Sequence, residues 1–354
     1  MIDTLNIDIK KVSESRLESV DFDNIPFGKV YSDHMFRVDY RDGKWINPKI
    51  IPYDYLKVSP ASQTLHYGVS VFEGMKAYKL PSGETALFRP LENQKRLNRS
   101  ADRLCMPPLP EEIFMEGLTQ LLKLDNGWIP TKPDMALYIR PFMFSSEEYI
   151  GIKTSEYFTF LIITAPVGAY YSAPVKVKIE TEYARAVKGG TGYAKAAGNY
   201  AGALYPTKKA QEQGYQQIIW TDGQEHKYIE EAGTMNLFFV IDDTVMTPSL
   251  TDTFLPGITR DSIVKLSKHL GFNTVEKKIT IDEVVSALKE GRMTECFGVG
   301  TAATLTHVSH IGHEGVDYEL PDPEVRKYSN ALKNNLEGIK TGKIEDPFGW
   351  VYKM

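Results

Sequence analysis

The chain has 354 residues, 42% of them hydrophobic and 25% charged, and 41 basic side chains against 46 acidic ones leave a net charge of −5. That length is enough for two domains with cores of their own. The mild acidity, with no long run of one sign, argues against a nucleic-acid footprint and against a polybasic membrane patch. No apolar run approaches the ~20 residues needed to span a bilayer. The first residues, Met1-Ile-Asp-Thr-Leu-Asn-Ile-Asp-Ile-Lys-Lys, lack the apolar core of a signal peptide, and Asp3, Asp8 and Glu14 speak against a mitochondrial transit peptide. Cys105 and Cys296 are far apart, so no CxxC motif or disulfide framework is indicated. Both are expected to be small core residues of a cytoplasmic protein.

In chain order, Leu97, Ala101, Leu104 and Cys105 share one helical stripe that Pro107-Pro108 ends. Ile113, Phe114, Leu118, Leu121 and Leu122 form a second stripe. Residues 135–143 read as a strand whose period of two puts Leu137 and Ile139 on one face, Tyr138 and Arg140 on the other. A polar loop around Gly151 follows, over 145–156. The apolar run 158–167, broken only by threonines and Pro166, reads as a strand covered on both faces. Linker punctuation between Pro166 and Pro174 divides the chain into an N-terminal domain (1–167), a linker (168–176) and a C-terminal domain (177–354). In the second domain strands are expected at 175–182, 217–221, 228–231 and 236–241, with a hairpin turn at Asp222-Gly223. Ile263, Leu266 and Leu270 repeat at helical spacing and Gly271 stops the run. Strands mixed with segregated helices indicate the α+β class. There is no internal repeat and no low-complexity segment.

Several familiar motifs fail on inspection. Lys195 follows Ala194 and precedes Ala196, so it is no Walker lysine. Gly298-Val-Gly300-Thr-Ala-Ala303 has the letters of a dinucleotide loop, but Thr304-Leu-Thr-His-Val-Ser alternates like a strand where a helix is required. There is no HExxH, no GxSxG and no histidine spacing that calls for a metal; His307 with His310 is weak.

What remains is a set of separate clues. Lys195 lies in a stretch of small residues, with Gly189, Gly190, Gly192, Gly198 and Gly202 around it, where a flat molecule can approach the backbone. Leu255-Pro-Gly-Ile-Thr-Arg opens a helix whose first amides, at Ile258 and Thr259, can hold a phosphate. Arg96 lies on the first helix. Glu231 follows Glu230 on a strand, so one of the two carboxylates can be buried. A lysine for an aldehyde, amides and an arginine for a phosphate, and a carboxylate for a ring nitrogen meet the needs of pyridoxal 5′-phosphate.

At these residues the sequence resembles the branched-chain amino-acid aminotransferases of the fold-type IV pyridoxal-phosphate class. The resemblance runs from about Phe27 to the C-terminus. Its segments come in family order: Phe27-Gly-Lys, Asp33-His-Met, Leu65-His-Tyr-Gly, Val71-Phe-Glu-Gly-Met-Lys-Ala, Leu87-Phe-Arg-Pro, Ala136-Leu-Tyr-Ile-Arg-Pro, Ala165-Pro-Val-Gly-Ala-Tyr, Glu231-Ala-Gly-Thr-Met-Asn, Leu255-Pro-Gly-Ile-Thr-Arg and Phe297-Gly-Val-Gly-Thr-Ala. Asp33-His-Met and Gly168-Ala-Tyr resemble the eukaryotic-like subgroup more than the shorter bacterial one. The redox CxxC pair of mammalian members is replaced here by Ala303 and Thr306.

The resemblance implies an N-terminal α/β sandwich-like domain, a C-terminal pseudo-barrel, and a homodimer in which the loop around Ile150 to Ile152 reaches the partner's pocket. It implies that Lys195 carries the cofactor and moves the substrate proton, that Tyr200 bonds the phenolic oxygen, and that Glu231 holds the ring nitrogen. Arg96, Ile258, Thr259 and Thr301 would bind phosphate. Phe27, Tyr67, Phe72, Tyr138 and Arg140 would line the substrate site, and Thr234, Thr301 and Ala302 would hold the substrate carboxylate. The implied reaction moves the amino group of L-leucine, L-isoleucine or L-valine to 2-oxoglutarate by ping-pong transamination, giving a 2-oxo acid and L-glutamate. D-amino-acid aminotransferases and aminodeoxychorismate lyases share the fold. A non-catalytic metabolite-binding protein is a third alternative, opposed by the intact Lys195, Glu231 and Arg96.

Overall fold

The computed structural model describes residues 6–168 and 173–354. They divide into two units. The first takes residues 6–168, Ala194–Gly198 and Lys340–Met354; the second takes 173–193 and Asn199–Ile339. A contiguous division of the chain does not anticipate these two returns to the first unit. Residues 169–172 of the expected linker lie outside the described residues.

The first unit is built on a mostly antiparallel sheet. Its strands are β1 (Asp8–Ile9), β2 (His34–Arg41), β3 (Lys44–Pro52), β4 (Ser70–Phe72), β5 (Met75–Lys79), β6 (Thr85–Phe88), β7 (Ala136–Ser145) and β8 (Phe158–Val167). The order is β1-β3-β2-β8-β7-β5-β6, continued by the C-terminal strand Val351–Lys353, and β4 pairs with β7 off this path. β7 and β8 form the centre. In β7 Leu137 and Ile139 are buried while Tyr138 and Arg140 are half-buried on the other face, as the period of two predicts. β8 is covered on both sides, with Phe160 and Ile162 in the main core and Leu161 packed with Met35 and Phe144 on the opposite face. It runs through Pro166 and Val167, so the strand extends into the expected linker punctuation.

Three helices accompany this sheet: α1 (Gln63–Tyr67), α2 (Pro90–Arg103) and α3 (Glu111–Leu124). The apolar stripe of α3 buries Ile113, Phe114, Leu118, Leu121 and Leu122, with Phe114 against Phe160 at 6.2 Å between ring centres. α2 ends at Arg103, two residues short of the end of its predicted stripe: Leu104 caps it, and Cys105 turns left-handed at φ 54° and is exposed. Cys105 is therefore not a core residue; the chain leaves helical geometry before a fourth contact on the stripe can form. Cys296 does meet the expectation, and burial pushes its thiol up to about 12.

The second unit contains a closed barrel. β9 (Val175–Ile179), β10 (Gln217–Thr221), β11 (Ile229–Ala232), β12 (Met235–Ile241), β15 (Met293–Gly300) and β16 (Thr304–His313) pair in the ring β11-β10-β9-β16-β15-β12, and β12 closes back on β11. β13 (Thr244–Pro248) and β14 (Thr274–Lys277) extend from β12, and β17 (Val316–Glu319) extends from β16. The short α4 (Ala197–Ala201) is divided between the two units after Gly198, whereas α5 (Leu204–Glu212), α6 (Ile258–His269), α7 (Ile281–Lys289) and α8 (Lys327–Lys340) belong to the second unit almost entirely. Alternation sorts the barrel residues: Leu237, Phe239 and Ile241 join one core with Val177 and Val308, while Phe238 stacks on Phe297 at 5.3 Å.

Two boundaries differ from expectation. β9 stops at Ile179 rather than continuing to Glu182. β10 and β11 are antiparallel as expected, but residues 222–228 join them in a wider loop. The Asp222 carboxylate organises that loop by accepting the amides of Gln224, Glu225, Lys227 and Tyr228. α6 ends as predicted, with Leu270 at its C-cap and Gly271 at φ 77°.

Candidate active site

Lys195 is held by its backbone before its side chain is considered. Its amide donates to Ser100 Oγ of α2 at 2.9 Å, and its carbonyl accepts the Phe72 amide at 3.0 Å. Ala196 bridges Val71 of β4, and Ala194 and Ala196 are buried in the core of the first unit. The segment alternates buried and half-buried residues from Gly192 to Ala197, and Lys195 stands between a turn at 192–193 and the start of a helix at Ala197, pinned by the single bridge of Ala196 to Val71. Its Nζ lies 5.0 Å from the centre of the Phe72 ring.

Only part of the glycine run serves open space. A Cβ on Gly198 or Gly202 would meet nothing within 4 Å, which leaves room beside the backbone as expected. At Gly192 the reason is different, because a Cβ there would sit 2.2 Å from the Thr253 carbonyl oxygen. That glycine allows two backbones to touch.

Phe72 gathers the other expected substrate-side residues of the first unit. The Arg140 guanidinium lies 4.7 Å from its ring centre and donates to the Tyr138 hydroxyl at 2.8 Å. Phe27 meets Tyr138 edge-on, with ring centres 5.5 Å apart. Arg140 has no carboxylate partner among the described residues, and its Nε is buried without a hydrogen bond. Tyr67 is exposed at the end of α1. Arg96 is not a solvated helix residue: it is buried, and it grips Glu73 with Nε at 2.7 Å and Nη2 at 2.8 Å. Glu73 was present in the Val71-Phe-Glu-Gly segment, but nothing local to it announces a partner 23 residues away.

In the second unit the barrel register collects the remaining residues at one end. Glu231 pairs with Asn236 across the β11–β12 turn, Asn236 pairs with Val299, and Gly300 pairs with Thr304. The β11–β12 turn that carries Thr234 and the β15–β16 turn that carries Thr301 and Ala302 therefore lie side by side. A Cβ on Gly300 would come 3.6 Å from the Thr234 carbonyl. α6 starts at the same end: Asn236 Nδ2 donates to the Leu255 carbonyl at 3.0 Å and to Glu231 at 3.4 Å. Gly257 caps α6 in extended geometry without a side-chain cap, and any Cβ there would strike Asn236 Oδ1 at 2.0 Å. Ile258 and Thr259 thus open a helix whose N-terminal amides and dipole favour an anion. Glu231 is buried and bound by Arg185 Nε at 2.6 Å. Arg185 and Asn236 are the residues that the sequence reading missed here; Asn236 stands in a quoted segment, whereas Arg185 carries no signal of its own. Tyr200 lies half-buried on α4.

In the first unit Lys195 is a half-buried amine, and in the second the α6 start can hold an anion and Glu231 is a fixed carboxylate; these are the group types that an aldehyde-bearing phosphate ester with a basic ring nitrogen calls for. Among the described residues no group of three or more His, Cys, Asp and Glu could hold a metal ion. None of the described helices is long and apolar enough to cross a membrane.

Comparison with known proteins agrees with this chemistry. Residues 70–311 match the amino-transferase class IV family, and the chain belongs to that family of pyridoxal-phosphate-dependent transferases. Over 348 residues it is 44% identical to branched-chain-amino-acid aminotransferase 2 of Bacillus subtilis, covering 97% of this chain and 96% of the relative. It is 42% identical over 340 residues to the branched-chain-amino-acid aminotransferase of Mycolicibacterium smegmatis, covering 94% and 92%. Among solved structures, the branched-chain aminotransferase of Thermoproteus uzoniensis with norvaline superposes with a TM-score of 0.75 at 26% identity, over 90% of this chain and 99% of that one. The Escherichia coli enzyme gives 0.71 at 28% identity, over 90% and 98%.

Proposed function

We propose that the protein is a branched-chain amino-acid transaminase that passes the amino group of L-leucine, L-isoleucine or L-valine to 2-oxoglutarate by reversible ping-pong turnover. The carrying observation is the pair of cations on one ring, Lys195 Nζ at 5.0 Å and the Arg140 guanidinium at 4.7 Å from the centre of Phe72. A reactive amine and a carboxylate receptor on one apolar wall suit a site that accepts an aliphatic side chain and a glutamate side chain in turn. Aromatic surface from Phe27, Phe72 and Tyr138 serves the first. Arg140, with the Tyr67 hydroxyl, serves the second.

When bound, pyridoxal phosphate supplies an electron sink for the substrate α-carbon. The chain's residues do the rest. Lys195 would hold the cofactor aldehyde, and its freed amine would carry the substrate's α-proton to the former aldehyde carbon, two bonds from the α-carbon. Glu231, fixed by Arg185 and Asn236, holds the proton on the ring nitrogen. Arg96, Ile258, Thr259 and Thr301 bind the phosphate, and Tyr200 bonds the phenolic oxygen. Thr234 and the amides of Thr301 and Ala302 orient the substrate carboxylate. The relatives' names support this reading.

We also infer a cytoplasmic homodimer. Free thiols at Cys105 and Cys296 suit a reducing compartment. On the first unit Leu65, Ile150 and Ile152 are exposed, and α1 is tied to the loop that carries the two isoleucines by Gln63 Nε2 to the Gly151 carbonyl at 3.3 Å. A second copy would cover such a patch. The deciding experiment is half-transamination with L-leucine, D-alanine and aminodeoxychorismate, followed by cofactor absorbance. Response to L-leucine is expected; response only to D-alanine or only to aminodeoxychorismate would replace the branched-chain assignment.

A further inference from the structure

Glu230 adjoins the carboxylate assigned to the ring nitrogen, yet the reaction as proposed gives it no role. It is buried on β11. Its Oε1 accepts a hydrogen bond from Thr253 Oγ, and its Oε2 is buried with no hydrogen-bond partner. Thr253 Oγ also shares a hydrogen bond with Thr251 Oγ at 2.6 Å.

The loop that Glu230 touches is a hub for the active-site residues of the second unit. The Thr253 carbonyl accepts Arg185 Nη1 at 3.0 Å, and the same nitrogen reaches the Gly192 carbonyl at 3.2 Å. Through Nε that guanidinium holds Glu231. One residue earlier, the Asp252 carbonyl accepts the Tyr193 amide at 3.1 Å and its carboxylate accepts the Gly189 amide at 2.8 Å. Gly192 closes the contact by lying against the Thr253 carbonyl, where no Cβ fits.

We propose that Glu230 is a positioning residue: by holding Thr253 it fixes the 251–253 loop, on which the Gly189–Tyr193 run and the Arg185 guanidinium are both built. The first leads along the chain to Lys195, and the second orients Glu231. The proposal rests on the roles given above to Lys195 and Glu231. The protonated acid is the form that suits this place. Burial raises the Glu230 carboxyl to about 7, the Thr253 hydrogen bond opposes that, Glu231 and Asp222 add to it, and Arg185 counters them. An ionised Oε2 without a donor would carry a desolvation cost that a neutral group largely avoids.

The test compares Glu230→Gln, Glu230→Ala and Thr253→Val. Amide exchange of the apoprotein over residues 186–193 and 249–254 reports the tie without any cofactor. Affinity for pyridoxal phosphate and the pH profile of the bound cofactor's visible absorbance report its consequence. In Glu230→Ala, exchange in both segments is expected to rise about tenfold, the mark of a lost local constraint. Cofactor affinity should fall by about tenfold and the absorbance profile should shift in pH, while Glu230→Gln stays within about twofold of wild type. Thr253→Val should follow Glu230→Ala, and it carries the test if the alanine variant does not fold. Wild-type exchange in Glu230→Ala or Thr253→Val overturns the proposal. So does a Glu230→Gln variant as disturbed as the alanine, or raised exchange with unchanged affinity and pH profile. A wild-type protein that binds no pyridoxal phosphate would instead refute the proposed function, and the exchange data would still judge the tie.

Discussion

Lys195 carries the clearest expectation for a single side chain. Replacing it with alanine removes both the attachment point and the proton carrier, so turnover should fall by at least about a thousandfold, as loss of a positioned acid–base group does. Single-turnover absorbance with L-leucine measures this. The backbone bonds to Ser100 and Phe72 remain available to any residue, so unfolding should change little. Arg140→Ala separates the two half-reactions. Loss of a charge-assisted contact costs about 1.5–3 kcal/mol, and it should fall mainly on L-glutamate. Equal losses with L-leucine and L-glutamate would show that Arg140 only props Tyr138 and Phe72. His307 sets a pH dependence of stability. Burial pushes its imidazole from 6.5 down to about 4, and Arg326 and Lys333 act the same way. The unfolded chain therefore binds more protons between those values, and this group's share of stability is lost as the pH falls from 6.5 towards 4. Denaturant midpoints of the apoprotein should drop over that window in wild type and drop less in His307→Gln. Residue types were legible at this scale. Lys195 stood out as an amine among small residues, whereas Arg96 and Glu231 gained their roles only together, from the needs of one cofactor and from the family resemblance. Arg185 did not stand out, since an arginine in a loop looks the same whether it meets solvent or Glu231.

Elements were legible where one periodicity held from end to end. β7 alternates, β8 is apolar but for two threonines, and α3 and α6 each keep a single stripe. Legibility failed where a local conformation cut a period short, as at Cys105, where a left-handed residue follows α2. The side chain of Asp222 does the same for the expected hairpin by collecting four amides into a wider loop. α2 and β4 show what pairing adds to pattern. Arg96 on the helix and Glu73 beside the strand are both buried and bonded bidentately. Glu73→Ala would leave the guanidinium buried without that carboxylate, a loss of about 3–5 kcal/mol. Thermal unfolding of the apoprotein should show it. An unshifted midpoint would mean that the pair adds nothing to the fold.

For the whole molecule, the proposed dimer is tested by Ile152→Asp, which places a charge on a side chain that is 93% exposed. Sedimentation should show a shift from dimer to monomer, because a buried unpaired charge opposes association. A dimer that survives at micromolar concentration would move the interface elsewhere. At this scale sequence and structure contribute different things. The sequence by itself determined the class: two domains' worth of chain, α+β patterning, and a lysine, arginine, carboxylate and helix start that together imply pyridoxal phosphate. Helix and strand periods and capping residues are local, written within a few positions of one another, and each reactive group is recognised by its type and its immediate neighbours. Only the tertiary structure decided where the chain returns. It placed Ala194–Gly198 and Lys340–Met354 with the first unit, paired β9 with β16, and set Gly192 against Thr253. Such contacts join residues from tens to hundreds of positions apart. They depend on which buried surfaces and backbone groups find one another, and no window of sequence contains both partners.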